Sequence, residues 1–181
     1  QLKALEDSEA DGLLINPVIG EKKSGDFSTD VILESYQIMI ANKIYPQNSV
    51  LLSGFNTYSR YSGPREAIFT AICRKNLGCS HFIIGRDHTG VKNFYKENEN
   101  KKFFNQLENI GIELIFFDQI GFDTQRKEFT KQTSRKEIKH ISGTKIREAF
   151  NKKKRLPNWY MRKEIQDMIL LKITKNQKVF L

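Results

Sequence analysis

Short apolar runs alternate along this chain with longer stretches in which apolar residues recur at helical spacing. The runs Leu13-Leu14-Ile15-Asn16-Pro17-Val18-Ile19, Ser49-Val50-Leu51-Leu52-Ser53 and Ile112-Glu113-Leu114-Ile115-Phe116-Phe117 read as buried strands, as does the run that ends at Ile84. Between them lie amphipathic helices. Ser28-Thr29-Asp30 supplies capping side chains for the first of these, whose apolar side is Val31, Ile32, Ser35, Met39 and Ile40. Pro64 suits a first helical position, Ala67, Ile68, Ala71 and Ile72 form a buried stripe, and Gly78 closes that helix. Leu2 and Leu5 fit the tail of a helix begun earlier, and Phe103, Phe104 and Leu107 mark a short helix before Gly111. Strands and helices in this alternation predict an α/β fold with a doubly wound parallel sheet over residues 1–120.

The texture changes beyond Asp118. No strong periodicity returns until Ile141-Ser142-Gly143-Thr144-Lys145-Ile146-Arg147-Glu148, where Ser142 can cap a helix whose first turn exposes N–H groups. Thr144 and Arg147 stand near the same end, which suits a phosphate, although capping alone accounts for Ser142. Leu156-Pro157-Asn158-Trp159-Tyr160 turns into a last helix with Met161, Ile165, Met168 and Ile169 inward. Residues 121–172 are therefore expected to form a small C-terminal α+β subdomain, with 173–181 a linker or the start of a further domain. A terminal strand or frayed tail fits the same residues.

Charge follows the same division. The chain of 181 residues carries a formal +9, yet residues 121–181 hold 17 Lys or Arg against 6 Asp or Glu, so residues 1–120 sum to −2. A step of this size signals a domain boundary or a basic tail facing an acidic partner, or simply a solvated basic face. Hydrophobic residues make up 39% of the chain, enough for one full core, and no run is long enough to span a membrane. With no signal-peptide pattern, the sequence reads as soluble and cytoplasmic. Cys73 and Cys79 have no partner pair with metal-ligand spacing and read as reduced core residues.

Chemistry concentrates where the apolar run Phe82-Ile83-Ile84 meets Gly85-Arg86-Asp87-His88-Thr89-Gly90. The carboxyl end of a parallel strand is where open α/β sheets bind ligands, and a glycine followed by anion-facing polar residues suits a charged one. Arg86 and Asp87 in isolation would also make an ordinary surface ion pair, and His81 within the strand reads as structural. Arg60 and Arg65 could steer anions toward this strand end, with Arg65 also able to pair with an acid on its helix. The loop Gly20-Glu21-Lys22-Lys23-Ser24-Gly25-Asp26 could close over a phosphate or be a plain surface loop.

Tyr61-Ser62-Gly63-Pro64-Arg65-Glu66-Ala67, Arg74-Lys75-Asn76-Leu77-Gly78-Cys79 and His81-Phe82-Ile83-Ile84-Gly85-Arg86-Asp87-His88 together resemble the core of the ATP sulfurylase family. The likeness extends to Asp11-Gly12-Leu13-Leu14, Pro17-Val18-Ile19-Gly20, Glu34-Ser35-Tyr36, Ile141-Ser142-Gly143-Thr144 and Leu156-Pro157-Asn158-Trp159. The resemblance implies a Rossmann-like nucleotidyltransferase in which a sulfate oxygen attacks the α-phosphorus of ATP, giving adenylyl sulfate and pyrophosphate, with magnesium accompanying the nucleotide. It implies that Gly85, Arg86, Asp87 and His88 contact ATP, that Ile120 lies where main-chain atoms hold adenine, and that Thr89 binds sulfate through its N–H. A homo-oligomer is expected on the same ground.

Three departures shape that expectation. Alanine is the usual family residue at the position of Thr89, so a hydroxyl enters the anion pocket here. Residues 118–140 contain no cysteine, so the zinc cluster of some relatives is not expected. The family's Gln-x-Arg-Asn-Pro-x-His-x-x-His motif does not occur in these residues, so no catalytic residue is assigned within them and the segment alone is expected to be inactive. Some relatives continue past the position of Leu181 into an adenylyl-sulfate kinase, and such a fusion is one reading of the last residues. Two rival functions stand beside this one: transfer of AMP to another acceptor, and a non-catalytic module that binds a nucleotide or RNA through the basic C-terminal third.

Overall fold

The computed structural model describes residues 1–85, 99–107, 109–117, 120–131 and 134–181. It is an α/β fold in two compact units. One comprises residues 1–15, 47–51 and 59–119, and the other residues 16–46, 52–58 and 120–181. Among the described residues no helix is long and apolar enough to cross a membrane.

The first unit contains helix α1 (Leu2–Asp7), strand β1 (Leu13–Ile15) paired with β2 (Val50–Leu52, of which Val50 and Leu51 belong to this unit), and the sequence α3 (Pro64–Asn76), β3 (His81–Ile84), α4 (Glu99–Phe104) and β4 (Glu113–Phe116). Strands β3 and β4 run parallel, with His81 opposite Glu113 and Ile84 opposite Phe116. The predicted start of α3 is observed, with Pro64 in its first turn. Leu77 caps its end and Gly78 follows at φ +92°, a left-handed turn that glycine makes without a Cβ penalty. Ala67 and Ala71 are fully buried against Phe82, Ile84, Phe104 and Ile112. Ile72, expected in the same stripe, is exposed. The helix instead turns Glu66, Thr70 and Arg74 inward, so its buried face is rotated toward polar positions, and Thr70 Oγ1 donates to Glu66 O at 2.7 Å.

A second device fixes the entry to β4. Lys75 Nζ donates to Ile110 O at 2.8 Å, and Gly111 sits beside it at φ +75°. A side chain at residue 111 would be strained by that φ and would strike the lysine.

The second unit is built around helices α2 (Thr29–Ala41), α5 (Gly143–Asn151) and α6 (Lys163–Thr174). Ser28 caps α2 as its sequence suggests, accepting from Val31 N. Val31, Ile146, Phe150, Met168, Ile169 and Val179 form the core, with Met161 and Ile165 packed against it. Val179 and Phe180 dock onto the chain before α2: Ser28 N donates to Val179 O at 2.9 Å, and Phe27 bridges Phe180.

Residues 121–139, where the sequence shows no strong periodicity, carry regular structure. Strands β5 (Gly121–Asp123), β6 (Glu128–Thr130) and β7 (Ile138–Lys139) form an antiparallel sheet in the order β6-β5-β7. Strands of two or three residues are too short to show an alternation. Asp123 ties the β5–β6 turn by accepting from Gln125 N at 2.9 Å and Arg126 N at 3.0 Å.

Two expectations follow for stability. Phe150→Ala, which empties the middle of the second core, should cost about 3–5 kcal/mol in denaturant unfolding; a loss under 1 kcal/mol would mean that this core is not where the unit's stability lies. The amide of Arg126, more than that of Gln125, holds the Asp123 carboxyl below its ordinary 3.8. The folded value is the lower one, so this contribution is complete above pH 3.8 and disappears as pH falls through the depressed value. Acid unfolding should show that step in the native protein and lose it in Asp123→Asn.

Candidate functional site

In the first unit the site begins where β3 stops. Phe82 and Ile84 anchor the strand in the core, and Phe117 N donates to Ile84 O at 3.1 Å, so the last residue before Gly85 is held on both sides. Gly85 itself is exposed, and among the described residues a Cβ built on it meets no atom within 4 Å. Its φ is not left-handed either. Neither the backbone nor the packing of the described residues calls for glycine there. Arg86, Asp87, His88 and Thr89 lie outside the described residues. His81 serves the strand pair: its Nε2 lies 3.2 Å from Glu113 Oε2, and its Nδ1 lies 2.9 Å from Ser80 Oγ.

The turn into α3 is built around a residue that the sequence reading passed over. Glu66 is only 6% exposed, and its two oxygens accept from Arg60 N at 2.9 Å and Ser62 N at 3.0 Å. Tyr61 between those amides is left-handed at φ 55°, and Gly63 adopts φ 56°, ψ −127°. A non-glycine left-handed residue and, two positions on, a glycine outside the ordinary regions mark a turn that its surroundings impose. Arg60 lies 4.7 Å over the ring of Phe69. A signal for Glu66 existed in principle, an acid two residues past Gly-Pro, but its helix-end position reads equally as a dipole complement.

In the second unit the Ser-Gly-Thr turn is a capped helix start, as expected. Ser142 Oγ accepts from Lys145 N at 3.4 Å, and Arg147 donates to Thr144 Oγ1 at 3.3 Å. Tyr160 adds a clamp: its hydroxyl accepts from Ser142 N at 2.5 Å and donates to Ser142 O at 3.3 Å. Trp159 beside it stacks on Phe122 with centroids 4.6 Å apart. Gly25 faces Arg147, its built Cβ 3.9 Å from Cδ. Lys22 is turned back on its own unit, donating to Val18 O at 3.1 Å and to Thr29 Oγ1 at 3.5 Å, and burial pulls its pKa down. That part of the loop secures the start of α2. Ile120 is half exposed just ahead of β5, while a Cβ on the next residue, Gly121, would collide with Ile138.

The cysteines are free, and burial pushes the Cys79 thiol up, away from thiolate chemistry. The structure thus sets Gly85 and the Glu66 turn in one unit, and the Ser142 turn and Ile120 in the other.

Residues 1–172 match the ATP-sulfurylase family. Sulfate adenylyltransferases of Ignicoccus hospitalis and Staphylothermus marinus are 39% and 40% identical to the chain over 167 residues, 88% of it and 43% of each relative. That of Synechococcus elongatus is 37% identical over 175 residues, 93% of the chain and 44% of the relative. The chain therefore spans less than half the length of these relatives. Among solved structures, "Hexameric APS kinase from Thiobacillus denitrificans" superposes with a TM-score of 0.70 over 97% of this chain and 33% of that one, at 20% identity, a likeness of fold.

The clamp on Ser142 gives a direct expectation. Tyr160→Phe should lower stability by about 1 kcal/mol and speed hydrogen exchange at the Ser142 amide. Exchange at that amide unchanged from the native protein would show that the hydroxyl does not hold the turn.

Proposed function

The chain belongs to the ATP-sulfurylase family, and from that membership we propose that it forms the nucleotide-holding part of a sulfate adenylyltransferase. In the reaction a sulfate oxygen attacks the α-phosphorus of ATP. A P–O bond to sulfate forms as the bond from the α-phosphorus to the bridging oxygen of pyrophosphate breaks, and the electron pair leaves with pyrophosphate. Magnesium enters with ATP as part of the substrate. Sulfate is a poor nucleophile, so the protein's work is to hold two anions in line and to stabilise charge at the α-phosphate.

One observation carries the reading: in a chain that matches this family over residues 1–172, the Gly-Arg-Asp-His motif starts at the residue where a buried parallel strand ends. Gly85 admits a phosphate close to the backbone, since none of the described residues fills the space its Cβ would take. Arg86, Asp87 and His88 contact ATP on this reading, with Arg86 offering a planar donor fork. Thr89 receives sulfate on its N–H, and the main chain at Ile120 receives adenine. The finer architecture belongs to the same proposal: a doubly wound, Rossmann-like sheet over residues 1–120 and a small α+β subdomain over 121–172. The parallel pairing of β3 with β4 and the packing of α3 on them support its first part. A cytoplasmic protein that assembles from several copies completes the reading.

The test is pyrophosphate release from ATP by the whole protein that contains this chain. Release should require both ATP and sulfate; release indifferent to sulfate, or none, sinks the proposal. Gly85→Val should leave the unfolding midpoint where it is and lower kcat/KM for ATP by about tenfold or more, equivalent to about 1.4 kcal/mol. A valine variant with native kcat/KM would remove Gly85 from the site.

A further inference from the structure

Glu66 is a buried carboxylate that the anion chemistry proposed above does not use. Its charge is engaged on both oxygens: Oε1 takes the amide of Arg60 and Oε2 the amide of Ser62. Only a carboxylate can do this, because a glutamine in the same place has one acceptor oxygen and would point an NH2 at the other amide. The two bonds close a turn through Tyr61 and Gly63, neither in an ordinary backbone region. The turn is held in shape from behind.

What the turn carries is Arg60. Its guanidinium lies over Phe69, in the second turn of α3, at 4.7 Å from the ring centroid. A stacked guanidinium is fixed by its face and donates through its edge, which suits a planar oxyanion contact. The topology sets the direction. The chain leaves α3 through Gly78 into the start of β3, and early and late residues of the two elements, Ala67 and Ile84, share one buried cluster. The first turn of α3 and the carboxyl end of β3 therefore lie at the same end of the first unit, the end that carries Gly85.

We propose that Arg60 binds an oxyanion of the substrates at this end, and that Glu66 is the positioning residue that holds it there by fixing the Arg60–Ser62 backbone. The inference rests on the reading of the site as a nucleotidyl-transfer site. The ligand is an oxyanion, supplied by the phosphates of ATP or by sulfate, and the two sources are separable by kinetics.

The experiment uses the whole protein and the variants Arg60→Ala, Arg60→Lys, Glu66→Gln, Glu66→Ala and the double alanine variant. For each, kcat, KM for ATP, KM for sulfate and the unfolding midpoint are measured. Arg60→Ala should raise KM for one of the two anions about ten- to a hundredfold, the loss expected for a charge-assisted contact, with an unchanged midpoint. Arg60→Lys, which keeps the charge and loses the fork, should fall between. Glu66→Ala should raise KM for the same anion, and the double variant should be no worse than Arg60→Ala alone, since both act through one contact. Should Glu66→Ala fail to fold, Glu66→Gln, which keeps one acceptor, carries the comparison. Native KM values for both anions in Arg60→Ala overturn the proposal, as do effects of the two sites that multiply. If the native protein makes no pyrophosphate, the transferase reading fails by itself, and calorimetric binding of ATP, sulfate and pyrophosphate then decides: weaker binding of one of them by Arg60→Ala upholds the anion site, and equal binding or none overturns it.

Discussion

The close packing of α3 on the β3–β4 pair is the contact on which the first unit's site depends. Two residues with no side chain beyond Cβ, Ala67 and Ala71, are completely buried there, and the space they leave is filled by Phe82, Ile84, Phe104 and Ile112. Close-packed interiors tolerate little change of volume, so the alanines fix how near the helix lies and in what rotation. Two consequences follow together. The strand is held to its last residue, so Gly85 emerges at a defined point, and the helix start is held at the same end, so the turn that precedes it has a fixed footing.

The second unit reaches a comparable result by polar means. Gln166 is 1% exposed in an otherwise apolar setting and has its amide fully used: Leu156 N donates to Oε1 at 2.8 Å, and Nε2 donates to Leu156 O at 2.9 Å and to Met161 O at 2.6 Å. A buried amide with every bond made is favourable and specific, whereas one left unmade would cost about 1–3 kcal/mol. Those bonds bracket the Leu156–Met161 turn and so place Tyr160, whose hydroxyl grips both backbone atoms of Ser142. The order of dependence runs from core to α6, to the turn, to the cap of α5.

Much of this was legible in the residues because it rests on local rules. Ser28 and Ser142 as caps, Pro64 at a helix start, Gly78 at a helix end, and the apolar runs that became β1 to β4 each follow from a short window of sequence. What was not legible depends on partners distant along the chain. Strands β5 to β7 exist because each pairs with another, not because two or three residues favour extension. Ile72 was placed inside by its spacing, yet the helix rotates so that Glu66, Thr70 and Arg74 are buried. Spacing assigns the core side by hydrophobicity alone, and it has no term for a glutamate that two amides will satisfy. Lys22 likewise reads as an anion-facing loop lysine until the carbonyl of Val18 and the hydroxyl of Thr29 are seen to hold it. Gly85 was correctly set at a strand end, while Arg86 to Thr89 and their roles rest on resemblance.

The sign of the charge at Glu66 is the remaining difficulty for an anion site, and it has a physical resolution. An unscreened carboxylate 4 Å from an oxyanion would oppose binding by about 4 kcal/mol at an effective dielectric constant of about 20. Here the carboxylate accepts two amide protons and lies in the first turn of α3, whose free N–H groups carry partial positive charge. Its field toward the proposed anion is thereby reduced, and on that proposal what reaches the anion is the geometry of the turn with Arg60 on it. A lysine or arginine at residue 66 would improve the local sign but could accept from neither amide, and a neutral acceptor could serve only one. The acid is the one side-chain type that can hold this turn, so a carboxylate beside the proposed anion site follows from the need to fix the backbone that presents Arg60.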